Sequence, residues 1–415
     1  MLKKVTVSIK AGLILSVLWL VSGCATWQAY PKEIEYKTTF DVTDSNYNNA
    51  ILKGREYLNK IKQTKNLPSI SISIGHKNKI IWSEAIGYED IENNKRATIN
   101  TKYRIGSTSK TLTATAAAIL VDREMLKLDD SIAHIIPNFP KKKWNFTSRQ
   151  LLSHTAGIVD YKDLGLSGLY YTLCNCKQFN SVSESLKVFR KRKLQYQPTH
   201  EYYYNSFDYV LMSSIIELKS NSSFLEFMKS KIFVPLEMNS TIADHSESQI
   251  DNIAKFYKTK ANKYKKYKTF GLIKDVNLSY KWAGGGFLST PQDLVKLGNA
   301  YLAKQFISNK VKYEFFKPQA LVNGKVNDQK YALGWRVYND FIAKEIFQGK
   351  KSIMMIHHGG ISKGAMTFLI LFPEYDMVLA ASTNTVVENF WNDFASELFI
   401  IANYFLVDIK NVTDN

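Results

Sequence analysis

The stretch RIGSTSKTLTA, residues 104–114, sets a serine and a lysine three positions apart at the start of an alanine-rich run. On a helix, positions three apart share a face. Lys110 therefore lies within reach of the Ser107 hydroxyl and is able to take its proton, which is how a weakly nucleophilic alcohol is made to attack a carbonyl. The spacing fits the polar first turn of an ordinary helix equally well, because a chain rich in serine and lysine contains Ser-x-x-Lys by chance. The remainder of the chain has to decide between the two.

Outward from this stretch, residues 109–125 read as a buried helix that carries Lys110 in its first turn. Upstream, residues 48–62 space Ile51, Leu52, Leu58 and Ile61 as a helix does. Two short runs, 69–75 and 80–88, flank a polar turn and read as an antiparallel hairpin. Residues 126–280 are mainly helical in pattern, and strand character returns at 331–338, 351–360, 365–373 and 377–384 before a closing amphipathic helix over 387–406. That order predicts an α+β fold. The early hairpin joins the late strands in one antiparallel sheet flanked by the terminal helices, with residues of about 126–280 as a mainly helical lobe.

The chain has 415 residues, 45% of them hydrophobic and 13% aromatic, enough for a large core. Length alone leaves the domain count open. The net charge of +18 comes chiefly from lysine, in runs such as 141–143, 190–193 and 263–268. These are spread along the chain and match no nucleic-acid-binding motif, so they read as a solvated surface suited to an anionic envelope, with no nucleic acid partner.

At the N-terminus, Lys3 and Lys4 precede the apolar run 11–21, too short for a comfortable membrane span and suited to a secretory signal. The run ends in VSGC, 21–24, which resembles a bacterial lipobox in which Cys24 is lipidated. The expected organisation is a lipoprotein signal peptide at 1–23, a tether at 24–47 and one domain at 48–410. The expected location is the bacterial cell envelope, facing the periplasm or the exterior; Ala25 after the cysteine favours the outer membrane where a cell has one. Cys174 and Cys176 read either as a small strained disulfide or as two thiols, and no further ligands accompany them to make a metal site.

Beyond STSK, the stretches FTSRQLLSHTAGI (146–158), PTHEYYYNSFDYVLMSSIIE (198–217), AGGGFLSTPQDL (283–294), YALGW (331–335) and HHGG (357–360) follow in one order. Together they resemble the serine beta-lactamase-related and penicillin-binding-protein-like hydrolases of class C type, over about residues 50–405. The resemblance implies a beta-lactamase/transpeptidase-like fold with no cofactor and no metal. It also implies an acyl-transfer site in which Ser107 attacks a carbonyl and either Lys110 or a tyrosine accepts the proton.

Family spacing identifies the tyrosine. Counting six residues on from Pro198, and five back from Tyr209, gives Tyr204 in both cases, so the motif is Tyr204-Asn205-Ser206 and not the tempting YYN that begins at Tyr203. This resembles the Tyr-x-Ser branch that includes the mitochondrial serine beta-lactamase-like protein. Ser206 stands where relatives carry an asparagine that contacts the substrate amide. By resemblance the oxyanion hole is formed by the backbone N–H groups of Ser107 and Gly360. Where beta-lactamases use Lys-Thr-Gly to hold a carboxylate, this chain has His357-His358-Gly359. An imidazole is largely neutral at pH 7, so penicillin recognition is expected to be weak. A core histidine is the alternative reading of His357. His154 matches a family position of structural role, and Gly284 to Gly286 lack the lysine that a phosphate-binding loop needs.

The expected protein is an exported, lipid-anchored serine hydrolase acting through an acyl-serine on an ester, amide or peptide derived from the cell wall, with an esterase or peptidase favoured over a dedicated beta-lactamase. The competing reading is a catalytically weak, penicillin-binding-like envelope scaffold. It draws on the altered third motif, and the retained serine, lysine and tyrosine speak against it.

Overall fold

The computed structural model describes residues 27–30, 39–42, 44–169, 177–244, 250–267, 276–303, 305–338 and 353–414. The signal segment, Cys24, Cys174 and Cys176 lie outside them.

The strands of the main sheet are β1 (Thr39–Val42), β2 (Ser69–His76), β3 (Lys79–Asp90), β4 (Arg336–Tyr338), β5 (Met355–Ser362), β6 (Ala365–Phe372) and β7 (Met377–Thr383). They run in the order β4-β5-β6-β7-β2-β3-β1, and the short strand Lys95–Arg96 pairs with β3. Every pairing is antiparallel, and β7 meets β2 in register from Met377 opposite His76 to Thr383 opposite Ile70. The early hairpin thus closes onto the late strands, as the sequence pattern predicts. The hairpin turn itself is tight, with Lys77 and Asn78 both at positive φ.

Both faces of this sheet are covered, because its strands are apolar on both sides. On the back face, Phe368, Ile370, Leu379 and Ile72 pack against α1 (Asn48–Thr64) and α7 (Ser396–Asp414), where Trp82 stacks on Phe405 at 5.5 Å. In α1 the spacing buries Ile51, Leu58 and Ile61 but leaves Leu52 out at 62% exposure. On the front face, Ile356, Leu369, Leu371 and Val378 pack against the lobe built around α2 (Ser109–Asp122), α4 (Phe207–Ser220) and α6 (Pro291–Leu302). The helix α2 is buried nearly all round, which is why its sequence is alanine-rich and not amphipathic.

Short elements hold the lobe in place. In α3 (Ser148–Leu152), Thr147 and Gln150 form a capping box, worth about 1 kcal/mol for the cap. The lobe is not purely helical, since Tyr257–Lys260 and Lys263–Lys266 form a hairpin within it. The segment read as a tether also contributes structure: Thr39–Val42 extends the sheet beside β3, and Gln28–Ala29 pairs with Lys263 and Tyr264. Edge strands are fixed by backbone pairing and need no hydrophobic alternation, so nothing periodic marks them in the sequence. No helix among the described residues is long and apolar enough to cross a membrane.

Candidate active site

Ser107 sits in the turn Gly106–Thr108, which leads directly into α2. Arg104, two residues before this turn, is anchored by donating to Asp244 at 2.7 Å and to the Lys363 carbonyl at 3.1 Å. The turn is pressed onto β5. Gly106 has φ +51°, and a Cβ there would lie 2.6 Å from the Ile361 carbonyl oxygen. A Cβ on Gly360 would lie 1.9 Å from the Ile105 carbonyl oxygen and 2.9 Å from the Thr108 nitrogen. Thr108 also donates to the His358 carbonyl at 3.3 Å. The main chains of the nucleophile turn and of Gly360 are therefore in contact, the approach required of an oxyanion hole built from the Ser107 and Gly360 amides.

Lys110 is fully buried. Its ammonium donates to Ser107 Oγ at 3.3 Å and to the Gly284 carbonyl at 2.6 Å, and it lies 4.6 Å from the centre of the Tyr204 ring. The carbonyl comes from α5 (Trp282–Gly285), whose Ala283 carbonyl in turn accepts from Thr113 at 2.8 Å. Gly284 has to be a glycine, since a Cβ would meet the Ser206 carbonyl at 2.7 Å and Ser206 Cβ at 3.1 Å. The glycine run is thus a close-packed turn that supplies an acceptor to the lysine. Ser206 forms its outer wall. The Gly284 carbonyl is a functional group that the sequence reading missed.

The two neighbouring tyrosines separate cleanly. Tyr203 turns its hydroxyl away to donate to Asp163 at 2.9 Å, whereas Tyr204 lies between Lys110 and Arg336, whose guanidinium is 5.2 Å from the ring centre. Asn205 points into the lobe, donating to Asp208 at 2.7 Å and accepting from the Asp208 amide at 2.8 Å. His154 packs 4.5 Å from the Tyr204 ring and pairs through Nδ1 with Asp208 at 2.9 Å, both side chains being wholly buried. Burial, then the Lys110 and Arg336 charges, hold His154 well below the usual histidine range, and burial raises Asp208 well above the carboxylate range. A buried, mutually bonded pair behind the Tyr204 ring suits the structural role expected of His154.

The third motif requires a correction. Along β5 the side chains alternate between faces, and His357 lies on the back, stacked on Tyr338 at 5.1 Å and edge-on to Phe368 and Trp391, each at 5.3 Å. Neither of its ring nitrogens finds a hydrogen-bond partner among the described residues. His357 is therefore a core residue and not a substrate ligand. Gly359 follows it to the back, where a Cβ would collide with the Phe390 ring at 2.6 Å. Of the motif residues expected in the site, Gly360 alone remains there.

His358 takes the front position. Its Nδ1 meets the Gly359 carbonyl at 2.8 Å and so carries the hydrogen, which leaves Nε2 to accept from the Tyr331 hydroxyl at 3.0 Å and from Arg336 at 3.4 Å. Burial, with Arg336 and Lys110 nearby, pushes its pKa well down, so the ring is neutral. Arg336 is itself clamped by donating to Gln329 from Nε at 3.0 Å. The YALGW loop reaches this place because Gly334, at φ +88°, has no Cβ to strike Ala114 at 2.3 Å. Among the described residues no cluster of three or more histidine, cysteine, aspartate or glutamate side chains is placed to hold a metal ion.

A family model described as Beta-lactamase matches residues 55–397. The mitochondrial serine beta-lactamase-like protein LACTB of Homo sapiens is 29% identical over 404 residues, covering 78% of this chain and 72% of the relative. A penicillin-binding protein of Bacillus subtilis (strain 168) is 26% identical over 314 residues, covering 74% of this chain and 65% of that protein. The solved structure of the octameric penicillin-binding protein homologue from Pyrococcus abyssi superposes with a TM-score of 0.66 at 23% identity, covering 84% of this chain and 77% of that one.

Proposed function

From the premise that this chain belongs to the beta-lactamase family, with the fold and serine-hydrolase ground plan of the penicillin-binding-like proteins, we propose that it hydrolyses an ester, amide or peptide bond through an acyl-Ser107 intermediate. The observation that carries this reading is the contact of the Lys110 ammonium with Ser107 Oγ at 3.3 Å, beside Tyr204 and against the Gly360 main chain.

In the proposed reaction, Ser107 Oγ forms a bond to the substrate carbonyl carbon while its proton passes to Tyr204, or to Lys110 acting as the free amine. The negative oxygen is received by the Ser107 and Gly360 amides; a single such donor is typically worth about 10²–10³ in rate. Collapse breaks the bond to the leaving group, which takes the stored proton. Water then attacks the acyl-serine by the same route in reverse, releasing the acid and free Ser107. The lysine of Lys-Thr-Gly is replaced by His357, which faces the core, and the front of β5 presents only a neutral His358, which supports an esterase or peptidase over a dedicated beta-lactamase.

The reading extends to place. The lipobox-like VSGC ending at Cys24 and the charge of +18 support an exported, lipid-anchored protein at the cell envelope, with substrates from the cell wall. Intact mass after incubation with an activated ester is the test. A covalent adduct on the unaltered protein that is missing from Ser107→Ala supports the acyl-serine; no adduct and no turnover would favour the scaffold. Cys24→Ser should leave an uncleaved precursor or release an unlipidated protein, and membrane fractionation of a processed form would remove the anchor.

A further inference from the structure

One side chain at the cleft plays no part in the machinery described above. Lys281 precedes α5, and its Cε lies 3.7 Å from the position a Cβ would take on Gly285, which is itself 3.7 Å from the Gly106 carbonyl carbon. Its aliphatic end is therefore within about 7 Å of the nucleophile turn, on the lobe side. The ammonium lies 5.2 Å from the Tyr161 ring centre and 5.6 Å from that of Tyr280. Among the described residues it has no carboxylate or carbonyl partner.

Lys281 is only partly buried, and its ammonium faces two rings with no acceptor among the described residues held against it, so it stays available to a ligand. Lys110 differs in having both Ser107 and Gly284 as acceptors. The strand side of the cleft, where a lysine would hold a penicillin carboxylate, presents neutral His358 instead. The remaining charge on that side, Arg336, is committed to Gln329 and His358, whereas Lys281 on the lobe side has no such acceptor.

Resting on the serine-hydrolase reading, we propose that Lys281 is a specificity-determining residue that receives a carboxylate of the substrate. The substrate class is then a carboxylate-bearing ester, amide or peptide, with the anion bound beside Tyr161 and Tyr280 and not along β5. The positive charge is conditional. Burial, then the like charge of Lys110, pushes Lys281 down to about 8, with Lys363 and Lys162 adding to the fall and Asp160 opposing it.

The test is a ratio. Rates are compared for nitrophenyl hexanoate and the nitrophenyl monoester of adipic acid, and for phenyl acetate and its ring-carboxylated counterpart, so that the anion is placed in turn on the acyl side and on the leaving group. In Lys281→Met the anionic-to-neutral ratio of kcat/KM should fall at least about tenfold for one pair, mainly through KM, and Lys281→Arg should keep it within about threefold. An equal loss on all substrates, or an unchanged ratio in both pairs, overturns the assignment. Ser107-dependent turnover of the neutral esters by the unaltered protein is the control. If that is absent, the hydrolase reading itself falls, and the inference with it.

Discussion

His357 and His358 are neighbours in one strand, and their surroundings have almost nothing in common. His357 lies in a dry box of Tyr338, Phe368 and Trp391 with both nitrogens unpartnered, while His358 accepts from Tyr331 and Arg336 at the edge of the cleft. Both are buried and both are held neutral, His357 by desolvation with Arg336 adding to it. The difference lies in which layer each side chain enters. The back of the sheet is closed by the terminal helices and supplies stability; the front is closed by the lobe and supplies the chemistry. One step along a pleated strand moves a residue from one task to the other.

The two faces separate most sharply at the nucleophile. Ser107→Ala on the front should lower ester turnover by at least about 10³-fold and abolish the acyl adduct, with an unchanged melting temperature. An adduct that persists would mean that another group is the nucleophile.

A smaller loss is expected one residue from the dry box. His358→Phe removes the acceptor for Tyr331 and Arg336 and lets both shift against Tyr204, which should lower kcat/KM about 10²-fold. If His358→Phe and His357→Phe proved equally active, the contrast between the faces would have no catalytic content.

Charge on the front face gives a third, milder test. A lysine is cationic below its pKa, so the preference for carboxylate-bearing esters should be full below about pH 7 and halve near pH 8, where Lys281 loses its proton. A preference that is flat to pH 10 would place the responsible cation elsewhere, Arg336 being the nearest alternative.

The smallest effect on activity belongs to the back. His357→Phe should keep kcat/KM within about twofold, and its signature is in acid stability. The folded state holds His357 neutral while the unfolded chain takes up its proton near the ordinary value of about 6.5, so the unfolded state binds more protons as the pH falls. Stability therefore declines on acidification below that value by about 1.4 kcal/mol per pH unit for this group. His357→Phe should remove that one-proton slope in denaturant titrations between pH 6 and 5. Retention of the full slope would assign the proton uptake to His154 and His358 alone.

Much of this was legible in the chain before any folding. Three-residue spacing placed Lys110 against Ser107, and alternating runs with turn residues marked the hairpin and the late strands. Counting from both Pro198 and Tyr209 selected Tyr204 over Tyr203. The edge strand at Thr39–Val42 was not legible, because only backbone pairing holds it. The faces of β5 were not legible either: Met355 and Ile356 are both apolar because both sides of the sheet are buried, so alternation carries no sign of which side is which.

The sequence by itself determined the order of the elements, the family pattern and the local pairing of nucleophile and lysine, since each depends on residues within a few positions of one another. Tertiary structure decided which histidine meets the cleft, that the Gly284 carbonyl holds Lys110 from 174 residues away, and that Lys281 is left facing rings instead of an acceptor. Contacts at such separations are set by how layers pack, and packing leaves no mark at the spacing of a turn or a pleat.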